Sequence, residues 1–233
     1  MLETLREYGL ERLQEWGILL AAQNQFAHYY LQQAEMLAQR LHEEPDQQLS
    51  MLVEIDRELP NFQAALRWAT IAAADETIGL RFCLALYVYW ETRGHYSDGG
   101  RLMAEALDRA TNPSVLRAKV LANASLVFRS TGYPDKALNL LEEAIALWEQ
   151  LGDETSLASG VHHLGQHYGM QLDCAAAAAQ FRRSLEIYRR LGQPSAVARV
   201  LGSLAQAQLR QGAYDEAEMS YGEALEIRQQ LRE

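Results

Sequence analysis

The sequence is short of cysteine, proline, β-branched residues, long apolar runs and positive charge, and each shortage removes a class of protein. Its 2 cysteines, Cys83 and Cys174, make no disulfide framework. One sits in an apolar helical run and the other precedes a run of alanines, so both read as thiols in a reducing, cytoplasmic setting. With only 5 prolines in 233 residues, long helices can run with few breaks. Val, Ile and Thr are too few for a large sheet. No apolar run approaches the roughly 18 residues of a membrane span. The first residues, MLETLREYGLERL, are amphipathic and acidic, which is not the pattern of a signal peptide. A net charge of −10 makes the surface as a whole a poor binder of nucleic acid. No G-x4-G-K-[ST] run occurs, so there is no phosphate loop.

What is abundant is Leu, Ala, Glu, Gln and Arg, the residues that favour helix. The stretch that orders the rest is VHHLGQHYGMQLDCAAAAAQF, residues 161–181. In it Val161, Leu164, Gly165 and Tyr168 fall at i, i+3, i+4 and i+7, one stripe of a helix. Ala177 and Phe181 follow on what reads as a second helix. Gly165 and Ala177 are small where two antiparallel helices would cross, and Tyr168 and Phe181 fill the space beside them. Forty residues earlier stand Leu121, Ala124, Ser125, Phe128, Ala137 and Leu141; forty later, Leu201, Leu204, Ala205, Gln208, Ala217 and Tyr221. The turns keep step, with Gly132-Tyr133-Pro134-Asp135 matching Gly212-Ala213-Tyr214-Asp215.

This spacing resembles the tetratricopeptide (TPR) pattern W-x2-L-G-x2-Y…A-x3-F, with Val161 in the Trp position and a period longer than the usual ~34 residues. The expected fold is all-α: a right-handed superhelix of antiparallel helical hairpins, a TPR-like α-solenoid, preceded by a helical linker. Four hairpins are expected over residues 76–233, at roughly 77–112, 114–152, 154–192 and 195–232. In the last, Ala217, Tyr221 and Leu225 are assigned to the hairpin's interior. That hairpin is also expected to leave an apolar edge, to be covered by a second copy, as a homodimer, or by further repeats.

The preceding residues read as helices. Thr4-x-x-Glu7 is a capping box, and the first helix runs to Trp16, stopped at Gly17. A second covers about Ile18 to Leu41. A third, through Leu49, Leu52, Val53 and Ile55, is broken or kinked at Pro60-Asn61, and a fourth carries Phe62, Ala65, Leu66 and Trp68. The order MLETLREYGLERL, then His28-Tyr29-Tyr30, then LPNFQAALRWA resembles bacterial signal-transduction NTPases with numerous domains, the STAND class, including transcriptional activators of the AfsR and LuxR-type groups. The resemblance implies that residues 1–17 are the remnant of a winged-helix segment and 18–75 a helical linker. It also implies that the chain is a fragment or stand-alone remnant of a regulator's sensor region, acting by protein binding or effector sensing. A free-standing TPR adaptor scaffolding two proteins is the alternative.

The TPR resemblance also implies a groove lined by first-helix positions opposite the packing stripe. Carried onto this chain, it takes Arg81 from the first hairpin and Lys119, Asn123 and Arg129 from the second. His163 and Gln166 come from the third, and Arg199, Gln206 and Arg210 from the fourth. Its basic residues reverse the sign of an acidic chain, which suits a protein or acidic peptide, or a small anionic effector. Solvated surface is the plainer reading of the same arginines. Arg199 and Arg210, eleven residues apart, are expected on one face. An apolar contact through Leu84, Val88, Leu126 and Met170 is the competing mode.

Other candidates are weaker. His163 and His167 have the i, i+4 spacing of zinc ligands, but no third ligand is evident. Glu43-Glu44, Glu142-Glu143 and Asp153-Glu154 read as solvated helix ends or outer faces, not acid–base pairs. Trp68, Tyr87, Tyr89 and Trp90 have the spacing of core residues more than of a base-stacking platform. No enzyme, cofactor, metal, nucleic acid or membrane role is expected.

Overall fold

A computed structural model describes residues 2–73 and 75–231. The side chains of Leu2, Thr4 and Leu5 fall outside the described residues, and with them the expected Thr4 capping box. The elements are α1 (Leu2–Glu15), α2 (Leu19–Glu43), α3 (Gln48–Ile71), α4 (Thr77–Arg93), α5 (Tyr96–Arg109), α6 (Val115–Ser130), α7 (Pro134–Leu151), α8 (Glu154–Met170), α9 (Cys174–Arg190), α10 (Pro194–Gln211) and α11 (Tyr214–Leu231). The fold is all-α, with no strand among the described residues. None of the described helices is long and apolar enough to cross a membrane. The chain divides into two compact units, Met1–Asn112 and Pro113–Glu233, so α4 and α5 group with α1–α3.

In the first unit α2 packs on α3 and α4, and α5 on α4 and α3. Phe62, Phe82, Tyr89 and Trp90 are buried there, so the last two offer no stacking platform. The expected break at Pro60 is corrected: α3 runs through it as one helix. A proline removes one backbone donor, while Ile55 before it and Phe62, Ala65 and Leu66 after it are all buried. Burial of both halves outweighs the lost bond. Trp16, expected to close α1, lies beyond it and is exposed.

The second unit is three hairpins, α6/α7, α8/α9 and α10/α11. Their boundaries follow local chemistry. Ser114, Asp153 and Asp173 cap α6, α8 and α9 by accepting the backbone N–H of Arg117, Ser156 and Ala176. The turns inside the first and third hairpins carry Gly132 and Gly212 at positive φ; in the second the equivalent residue is Leu172, with φ 64°. The crossing is as the spacing implies. Val161, Leu164, Gly165, Ala177 and Phe181 are buried, and a Cβ on Gly165 would fall 2.6 Å from the Phe181 ring. Ala137, Ala177 and Ala217 are buried at the equivalent place in all three hairpins. The assignment of Tyr221 and Leu225 to an interior is corrected: they are 43% and 57% exposed. The equivalent Phe181 and Leu185 belong to the core that α10 completes, and among the described residues no helix stands in that place beside α11.

Second helices are also joined by ion pairs. Arg183 of α9 reaches back to Glu149 of α7, and Arg189 of α9 forward to Glu223 of α11. Carboxylates considered for chemistry serve structure instead: Asp153 caps α8, Glu143 holds Arg117, and Glu154 holds Arg190.

Candidate functional site

A cavity of about 480 Å³ opens in the second unit. Arg129, in the last turn of α6, stands on one side of it. Gln166 of α8, and Ser203, Gln206 and Arg210 of α10, form the rest of the polar rim, and Met170 of α8 with Cys174 and Phe181 of α9 contributes a mostly apolar wall. Among the described residues two guanidiniums line it and no carboxylate does. The Arg210 guanidinium is oriented from behind, donating to the Gly169 carbonyl at 3.1 Å. Such a site can receive a carboxylate on the arginine forks and an apolar group on Met170 and Phe181.

Behind the rim lies a histidine cluster. His162 is buried, its Nε2 2.9 Å from Ser203 Oγ and its ring 5.5 Å from that of Phe181. Ser203 Oγ also lies 3.5 Å from the Arg199 carbonyl. Nδ1 of His162 is buried with no hydrogen-bond partner among the described residues. Burial, then the neighbouring His163 and Arg199, push the His162 pKa down to about 3. His163 Nδ1–H donates to Gln166 Oε1 at 3.2 Å, and burial with Arg129 and Arg199 pushes its pKa down against that bond. His167, also buried, accepts from the Gln171 amide at 3.1 Å. Among the described residues no three His, Cys, Asp or Glu gather to hold a metal.

The sequence-derived groove residues are therefore divided. Arg129, Gln166, Gln206 and Arg210 line the one cavity, and His163 holds Gln166 at its edge. Arg199 does not join them. It lines a second concavity with Gln193, Pro194 and Arg228. Eleven residues return it to the same face as Arg210, but along the axis they amount to about 16 Å. Lys119 is exposed and Asn123 half-buried on α6, and neither lines either cavity. Arg81 belongs to the first unit, where it makes a two-pronged bond to Glu35 of α2, both contacts 2.8 Å. Met170 and Ser203, first-helix positions opposite the packing stripe, fall in the cavity as the groove rule implies. Cys174 and Phe181 were not singled out as groove residues by the sequence, because that rule counts first helices alone.

Residues 116–190 and 156–230 each match the family described as tetratricopeptide repeat, so the hairpins of the second unit are TPR repeats. No curated protein sequence matches the chain. Among solved structures, BtubC (BKLC) from P. vanneervenii superposes with TM-score 0.70 at 19% identity, over 91% of this chain and 92% of its own. A Podosopora anserina putative kinesin light chain with nearly identical TPR-like repeats gives 0.67 at 16%, over 87% and 96%. YrrB, a TPR protein with an unusual peptide-binding site, gives 0.55 at 16%, over 83% and 93%. At such identities the likeness is one of fold.

Proposed function

We propose that this chain acts by binding rather than catalysis, and that the cavity between α6, α8, α9 and α10 receives an acidic, partly apolar segment of another protein. The observation that carries this reading is the pair Arg129 and Arg210 in a cavity that no described carboxylate lines, on a chain of net charge −10. A guanidinium presents donors in a planar fork that matches a carboxylate. Gln166 and Gln206 can bond the peptide backbone, and Met170 and Phe181 can take a side chain. TPR repeats make a protein-interaction scaffold the coarse reading, and YrrB, described as having a peptide-binding site, shares the hairpin fold.

The finer reading is an effector-sensing region of a bacterial signalling or transcriptional regulator, supported by the resemblance of residues 1–110 to the STAND class. Occupation of the cavity would then favour one of two arrangements of a larger protein. The test is a peptide array probed with the full chain. Captured peptides should be enriched in Asp and Glu beside an apolar residue, and Arg129→Glu with Arg210→Glu should remove that enrichment. Capture of basic or purely apolar peptides, unaltered by the two changes, would overturn the reading.

A further inference from the structure

The exposed face of α11 has a symmetry that the rest of the repeat lacks. Glu218, Tyr221, Leu225 and Arg228 are spaced three, four and three residues apart, which places them on one stripe of the helix. All four are exposed. Glu218 and Arg228 stand five residues either side of Glu223, and Tyr221 and Leu225 two residues either side. Turned end for end, the stripe therefore sets Tyr221 against Leu225 and Glu218 against Arg228. Its flanks carry no charge that would oppose this. Ala217 and Ala224 are buried on one side, and Gly222 and Gln229 lie on the other; a Cβ on Gly222 would meet nothing within 4 Å. Glu223 itself is turned away, held by Arg189 at 2.6 Å.

The equivalent stripe on α9 is Ala178, Phe181, Leu185 and Tyr188, all buried in the core that includes α10. At its two ends α11 has a carboxylate and a guanidinium where α9 has Ala and Tyr. A stripe built only to receive another repeat would stay apolar there. Arg228 also shares the concavity that Arg199 lines, and no carboxylate is among its described lining residues.

We propose that this face of α11 binds a second copy of the chain, the two α11 helices packing antiparallel about a two-fold axis level with Glu223. Each dimer then contains two Tyr221–Leu225 contacts and two Glu218–Arg228 ion pairs, as an isologous interface requires. The second Glu218 enters the concavity of Arg199 and Arg228 and supplies the missing negative charge. The proposal does not depend on the acidic-peptide reading, since none of these four residues lines the cavity of Arg129 and Arg210.

The test is sedimentation equilibrium of the full chain and three variants. The parent should pass from monomer to dimer as concentration rises, and Leu225→Glu should remain monomeric with an unchanged melting temperature. Glu218→Arg alone, or Arg228→Glu alone, should weaken self-association on the order of tenfold, since two attractive pairs become repulsive. Mixed in equal amounts, those two variants should form a heterodimer, because every pair across the axis is then opposite in charge. A parent that stays monomeric at all concentrations would overturn the proposal. So would a dimer indifferent to Leu225→Glu, or single reversals that fail to recover on mixing, as a different partner or a different face would give.

Discussion

His162 Nε2 lies 2.9 Å from Ser203 Oγ, so a buried imidazole on α8 ties its hairpin to α10 of the next. Its pKa is pushed down to about 3 from an ordinary 6.5 by burial first, then by His163 and Arg199. The unfolded chain therefore binds this proton more readily than the folded one. The stability this histidine contributes is complete above about pH 6.5 and is lost as pH falls towards 3. His163 and His167 are shifted in the same direction. Urea unfolding should show stability falling as pH drops below about 6.5, the slope from His162 approaching about 1.4 kcal/mol per pH unit near pH 5. His162→Gln should flatten the slope whatever it does to stability at pH 7. Parallel pH profiles would show that His162 titrates normally.

Leu172 occupies the left-handed turn position that Gly132 and Gly212 fill in the neighbouring hairpins. It is 75% exposed, so its side chain returns little for that conformation. An L-residue held there costs roughly 1–2 kcal/mol, part of which glycine's larger backbone entropy offsets. Leu172→Gly should raise stability by up to about 1 kcal/mol, read as an upward shift in melting temperature. A fall would mean that the leucine side chain makes contacts that outweigh the strain.

Two helical glycines should respond with opposite signs. Gly165→Ala puts a methyl group 2.6 Å from the Phe181 ring, and overpacking of that kind costs about 1–3 kcal/mol. Gly202, inside α10, has nothing within 4 Å of an added Cβ. Gly202→Ala should gain about 0.5–1 kcal/mol from helix propensity. Equal effects of the two changes would show that the α8/α9 crossing is looser than Gly165 and Phe181 indicate.

How much of this the sequence holds depends on where each cause lies. Gly165, Ala177 and Phe181 could be placed because apolar spacing within one hairpin decides them. Pro60 misled because the outcome rests on burial of Ile55 and Phe62, which no local rule contains. The two-pronged bond of Arg81 to Glu35 spans 46 residues, and nothing local distinguishes that arginine from a solvated one. The burial of His162 depends on Ser203 and Phe181 arriving from other helices. Tyr221 carries the pattern of a core aromatic, and its exposure depends on what stands beside α11. Arg199 and Arg210 share an azimuth, as periodicity implies, and part company only through distance along the axis.

The central claim is that Arg129 and Arg210 receive carboxylates in the cavity. Its most direct test is calorimetric titration of an array-selected acidic peptide into the full chain at low and high salt, with parent and the Arg129→Glu, Arg210→Glu double variant. An open, charged site is screened by ions, and hydrogen bonds to charged groups contribute roughly 1.5–3 kcal/mol each. The account predicts parent affinity that falls as salt rises, and loss of at least about tenfold in the double variant at low salt. An affinity unchanged by both salt and the double reversal would contradict it.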